Sequence, residues 1–180
     1  MEEKIFQYPN INETAFSIKL LGLHLDVQWY GLSYIAGILL AWLFMAKLVQ
    51  NKDLWFSCKS IIGRSEVDDL ITYMILGIII GGRLGYCLFY APGYYFDNPI
   101  KTIFIWEGGM SFHGGFLGVL ISGILFGVRK KISLLSLGDL IAFASPPGLF
   151  FGRIANFING ELWGKPTTPT FGIQFTKGNG

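Results

Sequence analysis

Two arginines stand inside long apolar stretches of the chain, Arg83 in GGRLGY and Arg153 in FGRIANF. An arginine at the centre of a membrane helix costs about 2.5–3.5 kcal/mol on insertion scales, so each needs a partner or a role. His113 lies in GGMSFHGG, flanked by Gly108, Gly109, Gly114 and Gly115. Glycine there marks a sharp turn or a close approach of backbone to a ligand. Asn156 follows Arg153 on the same helical face, with Asn159, Gly160 and Glu161 just beyond it. Tyr30 opens the first apolar run, and Glu107 stands just before the glycine-rich stretch.

Guanidinium groups present a planar fork that matches phosphate. An imidazole titrates near neutrality and can take a proton from an incoming nucleophile, or hold that nucleophile in place. An arginine can also stabilise charge building on a departing phosphate. The set reads as an anion site at lipid-headgroup depth with a base beside it. It leaves the nucleophile open. Each residue alone also fits a plainer role. Arg83 suits a snorkelling anchor or a donor to helix-terminal carbonyls. Tyr30, after Trp29, suits an interfacial belt, and Glu161 suits a solvated loop acid.

The elements that must position these groups follow from composition. Of 180 residues 52% are hydrophobic and 14% charged, against about 25% charged in a soluble domain. The mean hydropathy is +0.48 and the net charge +2, which favours a membrane protein and argues against a nucleic-acid partner. Cys58 and Cys87 lack C-x-x-C spacing, and no histidine–carboxylate cluster suggests a metal. No Walker loop, G-x-S-x-G or H-E-x-x-H is present. The opening MEEKIFQYPNINETAF has acidic residues where a signal peptide carries basic ones.

Four runs are long enough to cross a bilayer, which takes about 20 residues. They are Tyr30–Val49, Leu70–Tyr90, Ser111–Val128 and Leu137–Phe157, and the pair Pro146-Pro147 should break or kink the fourth. Leu23, Leu25 and Val27 alternate with polar residues, the period of a strand or surface arm. The expected architecture is an all-α polytopic membrane bundle, with residues 1–29 as an interfacial arm, 30–157 as the spans and 158–180 as a tail. Lysines and arginines concentrate in the loops after spans one and three, which places those loops in the cytoplasm and the N-terminus outside. Every span then brings a polar group to one level near the outer surface. Gly77, Gly81 and Gly85, with Gly114 and Gly118, recur at the spacing of packed helix seams.

The motifs QWYGLSY, GGRLGYCLFY, GGMSFHGG and GRIANFINGELWG, in that order, resemble the bacterial prolipoprotein diacylglyceryl transferase family. The likeness runs from about Tyr8 to Gly164. It implies an inner-membrane, multi-pass enzyme with a periplasmic N-terminus that takes diacylglyceryl from phosphatidylglycerol. The acceptor is the lipobox cysteine thiol of a preprolipoprotein signal peptide, and no cofactor or metal is implied. By position, His113 and Arg153 match the family's catalytic histidine and phosphatidylglycerol-binding arginine. Tyr30, Arg83, Gly108, Gly114, Asn156 and Glu161 fall in the remaining motif positions as substrate-binding residues. Ala155 replaces a glycine common in the family. Family members continue through seven helices, so the resemblance further implies a C-terminally truncated chain with weak or absent transfer activity alone. A non-catalytic bundle binding anionic phospholipid, and a transporter fragment, are the competing readings. A transport path would show polar residues along its depth, not at one level.

Overall fold

A computed structural model describes residues 4–9, 11–20, 23–55, 59–162, 164–165 and 171–175. Four of its helical stretches are long and apolar enough to cross a membrane: Trp29–Gln50, Arg64–Phe89, Phe112–Lys130 and Leu134–Asn159. Only 17% to 33% of each apolar window is buried within the chain. Residues divide into two compact units, Met1–Ala41 with Ser145–Gly180, and Trp42–Ala144.

In the second unit, α2 (Arg64–Phe89) pairs with α4 (Phe112–Lys130). The short α3 (Pro92–Asp97) and two 3-10 turns, Pro99–Ile103 and Ile105–Glu107, connect them. The α2–α4 contact is made of glycine. A Cβ on Gly85 would lie 2.7 Å from the Gly114 Cα, and one on Gly81 would lie 2.9 Å from the Gly118 Cα. Backbone therefore meets backbone, as small-residue seams allow. The large side chains point the other way: Leu76, Ile80, Leu84 and Leu88 form an exposed row along α2. Burying glycine and exposing leucine inverts the pattern of a water-soluble core.

Local chemistry sets the helix ends. The Gly63 N–H donates to the Glu66 carboxylate at 2.8 Å, which starts α2 before its apolar run. Lys130 in the last turn of α4 pairs with Asp69 at 3.0 Å and Glu66 at 3.6 Å, both in the first turns of α2. Lys131 then takes the left-handed conformation, and α5 (Leu134–Ala144) turns back so that Leu137 lies against Gly127.

In the first unit, β2 (Thr14–Leu20) and β3 (Leu23–Gln28) form an antiparallel hairpin that leads into α1 (Trp29–Gln50). The strand expected from alternation at 23–27 is β3. A parallel pair joins β1 (Lys4–Gln7) to β4 (Phe171–Gln174). The fourth span is interrupted as expected: α5 stops at Ala144, and α6 (Pro146–Asn159) restarts on two prolines, which suit a first helical turn. Within this unit α1 meets α6 where a Cβ on Gly37 would lie 2.8 Å from the Gly148 Cα. Tyr8 is buried and fixes the arm to the end of α6. Its hydroxyl donates to the Ile158 carbonyl, and its ring stacks on Phe175 at 4.9 Å.

Candidate functional site

The end of α6 gathers one set of candidate residues. Gly160 at φ 70° caps the helix in the left-handed region, where glycine carries no Cβ penalty. The Glu161 N–H then donates back to the Asn156 carbonyl at 2.8 Å. This reversal returns the Glu161 carboxylate to the helix, where it accepts from Asn156 Nδ2 and Asn159 Nδ2, each at 3.3 Å. Asn156 is buried, and its Nδ2 also donates to the Tyr30 hydroxyl at 3.2 Å. Tyr30, Asn156 and Glu161 therefore form one hydrogen-bonded group across α1, α6 and the turn after it. The Asn159 Oδ1 is buried and lacks a hydrogen-bond partner among the described residues.

Arg153 lies one helical turn before Asn156 and is exposed. Among the described residues it has no carboxylate within ion-pair distance.

The second unit holds the other candidates. His113 falls in the first turn of α4, exposed, with its ring edge-on to Phe112 at 5.8 Å. Ser111 caps this helix, accepting from the Gly114 N–H at 3.2 Å, and its own N–H donates to the Gly82 carbonyl at 2.9 Å. The turn that aims His113 is thus tied to α2. Gly114 is buried in the helix seam against Gly81 and Gly85. Packing there is the seam that its four-residue spacing to Gly118 announces.

Arg83 is engaged with backbone carbonyls, close to the plainer of its two expected roles. It is only 3% exposed. Its Nε donates to the Thr102 carbonyl at 2.9 Å, and Nη2 donates to Lys101 at 2.7 Å and Phe104 at 3.0 Å. Nη1 donates to the carbonyls of Gly108 and, at 3.3 Å, Gly109. A guanidinium has five N–H donors, and all are taken. In this arrangement Arg83 has none left for a phosphate. Gly108 and Gly109 turn their carbonyls to it at φ 84° and 85°, a region that side chains other than glycine rarely enter. Gly108 therefore meets Arg83. A Cβ on Gly109 would also strike the Tyr86 ring, at 2.6 Å from Cδ1.

Ser111 and Tyr8 were not among the residues expected to matter here. A serine immediately before an apolar run is a readable cap signal for Ser111. Nothing local marks Tyr8, whose partners lie some 150 residues away.

Helices that bury glycine against glycine and turn leucine outward define a membrane protein. The family model for prolipoprotein diacylglyceryl transferase matches residues 16–180, and the chain belongs to that family. It is 48% identical over 168 residues to a phosphatidylglycerol–prolipoprotein diacylglyceryl transferase of Cereibacter sphaeroides, covering 93% of this chain and 57% of that protein. A Phenylobacterium zucineum protein of the same name is 50% identical over 84% of this chain and 52% of its own length. A Rhizobium meliloti one is 46% identical over 97% of this chain and 61% of its own. The chain thus spans a little over half the length of these relatives.

Proposed function

We propose that this protein takes part in moving diacylglyceryl from phosphatidylglycerol to the lipobox cysteine of a preprolipoprotein signal peptide. The relatives' shared name supports the donor, the acceptor protein and the group moved, and the cysteine acceptor comes from the family resemblance of the motifs. The observation that carries it here is the exposed Arg153, without an ion pair among the described residues, one turn from the Tyr30–Asn156–Glu161 group. Arg153 binds the phosphodiester through its fork. Asn156, oriented by Tyr30 and Glu161, presents a fixed amide beside it. His113 accepts the thiol proton. The sulfur forms a bond to the terminal glycerol carbon of the diacylglyceryl group, and the carbon–oxygen bond to phosphate breaks. Glycerol phosphate leaves with that electron pair and one more negative charge, which Arg153 stabilises.

Placement in the membrane follows the charge pattern. Basic loops after the first and third spans support an N-terminal arm on the outer side, and the family resemblance supports a bacterial inner membrane. Tyr30, His113 and Arg153 then belong to span ends on the outer side.

The test uses the complete gene product in membranes, with phosphatidylglycerol and a lipobox peptide. Lipid binding together with a thioether-linked diacylglyceryl on the peptide supports the reading. Binding without transfer assigns a non-catalytic lipid-binding protein. Loss of neither activity in Arg153→Gln removes the arginine from the role given to it.

A further inference from the structure

We propose that Arg83 is a positioning residue, which holds the 101–109 loop in the one conformation that sets the start of α4 and hence His113. This rests on the reading of His113 as the base. The loop joins two membrane spans, yet it is largely irregular backbone, whose 3-10 turns occupy only some of its carbonyls, Lys101 and Phe104 among them. Such backbone is tolerated near hydrocarbon only where protein groups or water bond it. Arg83 bonds it five times, at Lys101, Thr102, Phe104, Gly108 and Gly109. The bonded carbonyls belong to the first 3-10 turn, to Phe104 between the two turns, and to the glycine pair that follows the second.

Charge points the same way. The acid in this loop, Glu107, is engaged with Lys101 at 2.6 Å. Arg83 has no ion pair among the described residues. Its charge is balanced by the five carbonyl dipoles and the face of Tyr95, whose ring centroid is 5.2 Å from Cζ. A cation that bound a phosphate would need free donors, and this one has spent them on backbone. From the loop the constraint passes directly on. Gly108 and Gly109 lead to Ser111, which bonds Gly82 beside Arg83 and caps the turn that carries His113. Lysine cannot replace the arginine, because its three donors lack the planar fork.

Hydrogen–deuterium exchange and steady-state kinetics on the complete gene product test this in Arg83→Lys. A second variant, Gly109→Ala, disturbs the same loop and leaves Arg83 in place. In both, amides of residues 101–109 should exchange about ten-fold faster, while mid-helix peptides of α2 and α4 stay protected. Transfer should lose about 100-fold in kcat, with KM for phosphatidylglycerol nearly unchanged, as expected when a reacting group is misplaced. Unaltered loop exchange would overturn the proposal. So would a raised KM at constant kcat, which would make Arg83 a headgroup ligand, or equal loss of protection in the helix cores, which would make it a packing residue. A wild-type rate in His113→Gln would instead sink the reading of the base, and loop exchange would still decide the part played by Arg83.

Discussion

Asn156 Nδ2 donates to the Tyr30 hydroxyl across 3.2 Å, so the last turns of α6 are fixed to the first turn of α1. The same amide nitrogen reaches Glu161 at 3.3 Å. Both its hydrogens are committed, and the amide cannot rotate without losing one partner. Tyr30→Phe removes the acceptor and keeps the ring. It should lower stability by about 1 kcal/mol, the net worth of a typical hydrogen bond. Transfer should fall more steeply than stability, because the amide next to Arg153 becomes free to turn. Thermal unfolding in detergent, read beside the transfer rate, separates the two effects; an unchanged rate would detach Tyr30 from the site.

The helix seam predicts a sharper result. A Cβ on Gly118 would overlap the Gly77 carbonyl, so Gly118→Ala must push α4 away from α2. The expected loss is about 1–3 kcal/mol, typical of overpacking. Gly138 on α5 has nothing within 4 Å of a built Cβ. Gly138→Ala should therefore be neutral or gain up to about 1 kcal/mol from helix propensity. Equal losses at both positions, measured by denaturation in bicelles, would contradict the seam.

Arg153 predicts a binding defect without a folding defect. It is exposed and unpaired among the described residues, so Arg153→Gln should leave the melting temperature within about 2 °C of the parent, as surface changes do. Arg153→Lys keeps the charge and loses the fork. Affinity for phosphatidylglycerol should fall in both, with lysine the milder. Native mass spectrometry against phosphatidylcholine measures it, and equal affinity in all three proteins would remove Arg153 from the headgroup.

Much of this architecture can be read from residue order alone. Twenty apolar residues in sequence can scarcely be anything but a span, and β3 shows in the alternation of Leu23, Leu25 and Val27. Glycines four apart announce the α2–α4 seam, and Pro146-Pro147 announces the break before α6. What escaped is non-local. Hydropathy begins the second span at Leu70, whereas α2 starts at Arg64, where Glu66 accepts from the Gly63 N–H and the polar first turns pair with Lys130 of α4. No periodicity pairs β1 with β4 across the chain. Arg83 was visible as a costly cation inside a span. Its partners were not, since they are backbone carbonyls of a loop whose fold no side-chain pattern records. The same limit applies to Gly114, where packing and ligand approach call for the same residue.

The most direct test of the account is mass spectrometry of a lipobox peptide incubated with phosphatidylglycerol and either the parent protein or His113→Gln. The parent should add one diacylglyceryl group to the cysteine sulfur and release glycerol phosphate. The variant should bind the lipid equally well and leave the peptide unmodified, about 100-fold or more below the parent rate. Thioether formation at the parent rate in His113→Gln would contradict the account.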